Sequence, residues 1–190
     1  VEQQRLKSVG EYLLTAQGSD GGFAFGHDFQ TMGDADDTSE IILTLAKLGL
    51  LENTPTNEKY RQAALKGYHW MEKLQSVDQG MPAFVITKKS HRLLRFIFQL
   101  FAPDGFLFDP SSPDVSGHAL EATTYLFNNI NSPNLPQLDL FYRPLDLPPV
   151  ANKLITYLTN SVVRNGSQVM WKGKWGVNYL YGTSAALTGL

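Results

Sequence analysis

The sequence contains no cysteine, almost no excess of charge of either sign and no long apolar run. Without cysteine there is no disulfide framework, no thiolate metal site and no thiol nucleophile. The net charge of −2 provides no positive field for nucleic acid, so we expect no nucleic-acid partner. The longest apolar stretches fall far short of the roughly 20 residues that a membrane-spanning helix needs, so we expect no bilayer crossing.

The sequence does contain enough apolar side chains to build a core. Apolar residues make up 43% and charged residues 18% of the 190 residues, a composition that excludes disorder. The length suggests one domain. The chain begins with Val1 and ends on an apolar stretch up to Leu190, whereas protein termini are usually polar. This pattern favours a piece of a longer protein.

Apolar residues recur at helical spacing in several segments. The spacing predicts helices over residues 6–16, 41–48, 60–74, 93–101, 115–126, 150–158 and 179–190. Gly18 and Gly49 are expected to end the first two helices. Because no segment alternates convincingly with a period of two, we predict an all-α fold.

Two further features describe the organisation of these helices. Half of the ten prolines fall within 131–149, which predicts a long extended connection inside the domain. Residues 17–23, 75–80 and 165–171 form a weak repeat, in which a Gly-rich turn ends a helix and presents a bulky apolar side chain. Such repeats are typical of stacked helical hairpins. They favour an α/α-toroid (α6–α6 barrel), incomplete in this chain because a closed toroid needs about twelve helices.

The densest acidic group comprises Asp34, Asp36, Asp37 and Glu40, directly before an apolar helix. One carboxylate is enough to cap a helix. Ionising all of these crowded groups is costly, so at least one should keep its proton near neutral pH and could act as an acid. Asp36, Asp37 and Glu40 also match the magnesium motif of prenyl-diphosphate enzymes, but a second acidic motif is missing downstream, so we predict no metal and no cofactor.

Asp114 and His118 stand four residues apart just after Pro113, so a helix beginning there places both on one face. In isolation such a pair is more typical of a helix cap and a hydrogen-bonded histidine. A protonated His118 that donates to an aspartic acid would instead stabilise the conjugate base of that acid. If Asp36 is such an acid, the imidazole, held by Asp114, is expected about 3 Å from its carboxyl group.

Aromatic residues crowd the turns between the predicted helices. They are Phe23, Phe25, Trp171, Trp175, Tyr179 and Tyr181. Core packing accounts for aromatic residues at helix ends as well as function does. Their π faces can also stabilise a carbocation, which carboxylates or water would quench.

Four segments resemble, in order, the motifs of bacterial squalene-hopene cyclases. They are residues 17–25, 34–38, 109–118 and 173–183. The DxDD box at 34–37 is shared with other class II terpene cyclases, whereas the WGVNYLYGT stretch is much more specific. Together the segments span nearly the whole chain. The resemblance implies that residues 1–190 form part of the catalytic α/α-barrel domain of a terpene cyclase.

The resemblance also implies a role for each matched residue. Asp36 matches the proton donor of the family, with Asp34 and Asp37 beside it, and His118 matches the histidine that hydrogen-bonds the donor. The other matched residues are the acids Asp109 and Asp114, the cation-stabilising Phe25, and the aromatics Trp175, Tyr179 and Tyr181 near the substrate. Phe23 departs from the family pattern, which usually has tryptophan there.

The activity implied is a cyclisation, started by protonation, of a linear polyprenyl substrate such as squalene to a polycyclic triterpene, without metal or cofactor. The full-length form is compatible with a homodimer. The residue patterns by themselves leave two alternatives open. One is an α/α-toroid glycoside hydrolase, with Asp34 or Asp36 opposite Asp114 as its carboxylate pair. The other is a non-catalytic helical-repeat module.

The segment 88–108 combines basic and apolar residues. Its basic residues, among them Lys88, Lys89 and Arg92, lie at its N-terminal end, and its apolar positions run almost all the way round a helix. A buried core helix explains this pattern, and so does a membrane-embedded surface. We expect the segment to enter one leaflet by ~5 to 10 Å, as in monotopic members of the resembled family. The protein would then be peripheral, on the cytoplasmic side of the membrane.

Overall fold

The structure, a computed structural model, describes residues 2–25, 33–50, 55–84, 110–130, 147–175 and 179–190. The helices in chain order are α1 Glu2–Ala16, α2 Ala35–Leu50, α3 Pro55–Leu74, α4 Pro113–Ile130, α5 Pro149–Asn160 and α6 Tyr179–Gly189. The strands are β1 Phe23–Ala24, β2 Gly33–Asp34, β3 Val163–Asn165 and β4 Gln168–Met170. The predicted all-α fold is confirmed, apart from these short strands, which are too brief to produce an alternating pattern in the sequence.

Several predictions concern residues outside this set. The helix over 93–101, the basic and apolar segment 88–108 and Asp109 all lie outside the described residues. Of the connection 131–149, the structure describes only residues 147–149, and α5 begins at the last of these. In the described ranges, no helix is both long and apolar enough to cross a bilayer.

Local signals account for where the helices begin. Asp34 precedes α2 and accepts hydrogen bonds from the backbone N–H groups of Asp36 and Asp37, the usual geometry of an N-cap. Pro113 and Pro149 occupy the first positions of α4 and α5, where the missing N–H leaves no helical hydrogen bond unmade.

Glycine lies at several points where helices approach each other. α2 continues through Gly49 to Leu50, so the prediction that Gly49 ends this helix is wrong. A Cβ at Gly49 would come within 2.8 Å of the Arg61 side chain on α3, which shows that this glycine serves the contact between the two helices. A Cβ at Gly117 on α4 would similarly meet the carbonyl of Ala185 on α6 at 2.2 Å.

The helices pack as consecutive hairpins around one core. α4 lies between α2 and α6, while α3 packs against α2 and α5 packs against α4. The fully buried apolar side chains at the centre include Ile42, Leu45, Met71, Leu120, Leu154 and Leu158. Full burial of a side chain of this size stabilises the fold by ~1.5 to 3 kcal/mol. This arrangement is consistent with the predicted α/α-toroid type.

The turns after α1 and α3 are copies of one structure. Gln17 donates from its side-chain amide to the carbonyl of Gly21 (2.9 Å) and to a carbonyl on α3 (2.8 Å). Gln75 donates in the same way to the carbonyl of Gln79 (3.0 Å) and to a carbonyl on α5 (3.2 Å). Gly21 and Gln79 occupy the same position, and both have a positive φ, of 107° and 75°. The first two copies of the predicted repeat are therefore structural repeats.

The third predicted copy, residues 165–171, does not form this Gly-rich turn. It belongs to an antiparallel hairpin in which β3 pairs with β4. Gly166, with a φ of 58°, provides the positive-φ position that a tight hairpin turn needs. The β-branched Val163 and Val169 favour extended backbone on either side of it.

The bulky apolar residue that ends or directly follows each of the three segments nevertheless makes the same contact. In each, the backbone N–H of the bulky apolar residue donates to a hydroxyl in the first turns of the following α2, α4 or α6. The donor and acceptor pairs are Phe23 with Thr38 (2.9 Å), Met81 with Ser116 (2.9 Å) and Trp171 with Thr183 (3.0 Å).

Gln79→Gly should stabilise the protein, because glycine adopts a φ of 75° without the steric cost that a Cβ imposes. The greater freedom of glycine in the unfolded chain offsets part of the gain, so we expect an increase of up to about 1 kcal/mol in the free energy of unfolding. Gln79→Ala is the control, since it retains the Cβ and should give no gain. Denaturant unfolding of the three proteins measures the effect, and equal stability of the glycine variant and the wild type would contradict it.

Candidate active site

The acidic group begins with a capping residue. Asp34 is 2% exposed, and its Oδ1 accepts the backbone N–H groups of Asp36 (2.7 Å) and Asp37 (3.2 Å). The N–H of Ala35 donates to the carbonyl of Ala83 (2.7 Å), which joins the start of α2 to the turn that follows α3. One carboxylate of the group therefore caps the helix, while the side chains of Asp36 and Asp37 are left for other contacts.

Asp36 is hydrogen-bonded to His118. The Nδ1 atom of His118 on α4 lies 2.6 Å from Oδ1 of Asp36 on α2, across a separation of 82 residues in the sequence. Both side chains are mostly buried, with 15% and 20% of their surfaces exposed. The predicted contact between these two residues is confirmed. The more exposed Glu40, one turn after Asp36, has a carboxylate oxygen 3.8 Å from the same nitrogen.

The surroundings of the pair shift several protonation equilibria. Burial and the negative charges of Asp37 and Asp36 raise the pKa of Asp34 to about 6, against its two backbone hydrogen bonds. Burial and the charge of Asp36 also raise the pKa of Asp37. Burial alone would lower the pKa of His118, but its hydrogen bond to Asp36 and the nearby carboxylates outweigh burial, and the pKa is raised. Burial and crowding thus raise the proton affinities of Asp34 and Asp37.

Asp114 does not hold the imidazole, contrary to our prediction. It is completely buried in the first turn of α4, and its Oδ2 accepts the backbone N–H groups of Lys174 (2.7 Å) and Trp175 (3.1 Å). Its Oδ1 is buried without a hydrogen-bond partner in the described part of the chain. The side chain points to the segment before α6 because those two N–H groups offer the buried carboxylate its partners. Its charge still contributes to the raised pKa of His118.

Aromatic rings form a row beside the acidic group. Phe84 makes edge contacts with Phe25 (ring centroids 6.2 Å apart) and with Trp175 (5.7 Å). Phe84 also forms a β-bridge with Asp34, which ties the row to the start of α2. Phe25 is 62% and Trp175 is 44% exposed, so the row presents much of its surface to the outside.

Tyr181 lies against the other side of the histidine. Its ring centroid is 5.9 Å from that of His118, in an edge contact. Burial and the charges of Asp36, Asp114 and Glu40 raise the pKa of Tyr181 to about 12, so its hydroxyl keeps its proton at neutral pH. Tyr179 is 44% exposed at the start of α6, and the structure shows no contact that brings it to the acidic group.

Sequence reasoning missed two residues of this region. One is Phe84, the centre of the aromatic row, which follows the second repeat turn as Phe25 follows the first. The other is Lys174, whose ammonium lies 5.5 Å from the ring centroid of Phe84 and 5.1 Å from that of Trp175. Burial lowers the pKa of Lys174, and the charge of Asp34 opposes this. The position of Lys174 directly before Trp175 in the fourth motif was the available signal.

A metal site is not formed by the residues described. Among them, no group of at least three histidine, aspartate or glutamate side chains has the geometry to hold a metal ion. Asp36, one of the three carboxylates of the magnesium motif considered above, is instead hydrogen-bonded to His118.

Comparison with known proteins shows that the chain is similar to triterpene cyclases. The model of the squalene-hopene cyclase C-terminal domain matches residues 2–190. The chain belongs to this family. The glycoside hydrolase and the non-catalytic helical-repeat alternatives are accordingly not favoured.

Individual relatives are similar over most or all of the chain. The squalene-hopene cyclase of Alicyclobacillus acidocaldarius is 31% identical over 202 residues, which cover all of this chain and 28% of the relative. Enfumafungin synthase of Hormonema carpetanum is 32% identical over all of this chain and 13% of its own length. The squalene-tetrahymanol cyclase of Tetrahymena thermophila is 27% identical over 86% of this chain and 21% of its own length. The chain therefore spans less than a third of each of these relatives.

Asp34→Asn should remove a pH dependence of stability. The folded pKa of about 6 lies above the ~3.9 of an unperturbed aspartate, so the folded state binds the proton more tightly. The contribution of Asp34 to wild-type stability should therefore fall as the pH rises from about 4 to about 6, and then level off. Asparagine caps a helix comparably without charge, so the variant should lack this decline and be more stable by about 1 to 3 kcal/mol above about pH 7.

Melting temperatures of the two proteins at about pH 4.5 and about pH 7.5 measure this difference. If the melting temperatures of both proteins change by the same amount between the two pH values, the carboxyl group of Asp34 does not titrate in this range.

Proposed function

We propose that this chain is part of the catalytic domain of a class II terpene cyclase that protonates a terminal alkene of a linear polyprenyl substrate such as squalene. The proposal applies to the full-length enzyme, since the chain spans 28% of the Alicyclobacillus relative. The observation that carries it is the buried hydrogen bond between Asp36 and His118. That the full-length enzyme forms a homodimer remains an expectation from the family resemblance.

The Asp36–His118 pair suits an acid that must protonate a very weak base. The protonated His118 donates from Nδ1 to Oδ1 of Asp36, which leaves Oδ2 to carry the transferable proton. When that proton moves to the alkene, a carboxylate remains next to the imidazolium, and the charge-assisted hydrogen bond becomes stronger. Stabilisation that increases as the reaction proceeds lowers the barrier.

The negative charges of the neighbouring carboxylates have the complementary effect. Asp34 and Asp37 lie within the same helical turn as Asp36, so each disfavours a further negative charge on the others. Together with burial, this repulsion raises the pKa values of Asp34 and Asp37 before substrate binds. The imidazolium and the carboxylates therefore act at different stages, the carboxylates before proton transfer and the imidazolium after it.

The aromatic row provides surfaces for the cation that protonation creates. Phe84 is tied to the start of α2, which carries the acid, by its bridge to Asp34, and the rings of Phe25 and Trp175 contact Phe84. A ring face stabilises a cation by ~1 to 2 kcal/mol when water is excluded, and it cannot trap the cation as a carboxylate would. The hydroxyl of Tyr181 lies on the histidine side and is suited to place the alkene or an ordered water.

Asp36→Asn should abolish cyclisation by the full-length enzyme while the fold persists, because an amide keeps the shape of the side chain but has no proton of useful acidity. A loss of about a hundred-fold or more in kcat is expected. Glu72→Gln is the matched control, since Glu72 lies 3.4 Å from His69 in an exposed pair on α3, away from the site. Product formation from squalene, followed by gas chromatography, measures both, and an asparagine variant at near wild-type rate would refute the assignment of the acid.

We further propose that the enzyme meets its substrate at a membrane surface through residues 88–108, which lie outside the described residues. A long polyprene is almost insoluble in water and has to come from a bilayer. The support is the sequence pattern, in which Lys88, Lys89 and Arg92 precede a stretch that contains Phe98 and Phe101. Basic side chains attract anionic headgroups, while aromatic ones enter the acyl region. We propose accordingly that the protein is peripheral, on the cytoplasmic side of the membrane.

Replacing both Phe98 and Phe101 by serine should weaken binding to anionic liposomes by about ten-fold or more, because two large apolar side chains no longer enter the bilayer. The melting temperature should change little. Sedimentation with liposomes and thermal unfolding measure the two effects. If binding is unchanged, or if the melting temperature falls strongly, the segment is a core helix and the proposal is wrong.

A further inference from the structure

The carboxylate of Asp114 makes an unusual pair of contacts. An acidic residue in the first turn of a helix normally interacts with the free N–H groups of that helix. Asp114 instead accepts two successive backbone N–H groups, those of Lys174 and Trp175, from a segment about sixty residues away. Because the residue is completely buried, these bonds are also what compensates the loss of hydration of its charge.

The segment that donates these bonds, residues 171–175, is irregular backbone that follows β4. On its other side it lies directly against α6, since a Cβ built on Gly173 would come 2.9 Å from the backbone nitrogen of Gly182. That Cβ would also lie 3.2 Å from Oδ2 of Asp114. The segment is thus held between α4 and α6, and the carboxylate of Asp114 is its hydrogen-bond contact with α4.

The same segment carries side chains of the aromatic row. Trp175 makes its edge contact with Phe84, and the ammonium of Lys174 lies near both rings. The helix that supplies Asp114 also supplies His118, one turn further along. A single turn of α4 therefore contacts the acid Asp36 through one residue and the backbone at Trp175 through the other.

We propose that Asp114 is a positioning residue, which fixes the Trp175 ring relative to the Asp36–His118 pair by binding the backbone of residues 174 and 175. The inference rests on the proposed function and deepens it. When this contact is lost, the Trp175 ring moves relative to the place where the cation forms, and the cation is lost before ring closure is complete. The fraction of incompletely cyclised products then rises, in addition to any change in rate.

Two variants of Asp114 in the full-length enzyme separate its position from its charge. Asp114→Asn keeps an oxygen that accepts both N–H groups but removes the negative charge near His118. We expect a lower kcat with the wild-type ratio of products. Asp114→Ala removes the acceptor as well, and the ratio of incompletely to fully cyclised product should rise about ten-fold or more. Glu72→Gln is again the control and should match the wild type.

A third variant tests the same contact from the other side. Gly173→Ala retains the charge of Asp114 but forces the segment away from Oδ2 and from Gly182, because a methyl group does not fit in the observed spacing. It should reproduce the product ratio of Asp114→Ala while the pH dependence of kcat stays as in the wild type. If Asp114→Ala does not fold, Gly173→Ala still tests the proposal.

The outcomes distinguish the inference from the proposed function. If the wild-type enzyme forms no cyclic product from squalene, the proposed function fails. If it forms product but Asn and Ala at position 114 give the same product ratio, Asp114 acts through charge alone and the inference is wrong. A wild-type product ratio for Gly173→Ala would also overturn it.

Discussion

The contact on which the rest of the site depends is a backbone N–H bonded to a hydroxyl in the first turns of a helix. It recurs at Thr38 on α2, Ser116 on α4 and Thr183 on α6. Each such bond fixes where the preceding turn meets its helix. Asp36, His118 and Tyr181 each stand two residues before or after one of these hydroxyls in the sequence, so the same bonds fix the helix starts from which the three side chains meet. The chemistry of the site therefore depends on a repeated element of the backbone.

The location of the acid at a helix start creates opposing electrostatic effects. The free N–H groups there favour negative charge and so favour ionisation of nearby carboxyl groups. Burial and mutual repulsion act in the other direction, and for Asp34, with a pKa raised to about 6, they prevail despite two backbone hydrogen bonds. The helix N-terminus thus fixes the position of the acidic group through the cap by Asp34. Burial and repulsion between the carboxylates raise the pKa of Asp34.

The sequence predicted well those features that depend on residue type at fixed spacing. The helical periods predicted the six helices of the described residues, and the Asp36–His118 contact was predicted from the family resemblance, in which this histidine hydrogen-bonds the middle aspartate of the DxDD box. Asp114 was misplaced because its partners are backbone N–H groups, which no residue pattern identifies. The hairpin was missed because strands of three residues are too short to alternate detectably. Phe84 was missed because its place in the row depends on how the turn packs against α2.

The unequal exposure of the tryptophans has a practical consequence. Trp70 and Trp171 are each 6% exposed, whereas Trp175 is 44% exposed at the end of the aromatic row. The sequence has only these three tryptophans. A water-soluble quencher such as acrylamide reaches an exposed indole far more readily than a buried one, so the quenchable part of the emission comes mainly from Trp175. The protein carries its own optical reporter of whether the aromatic row is covered, without any added label.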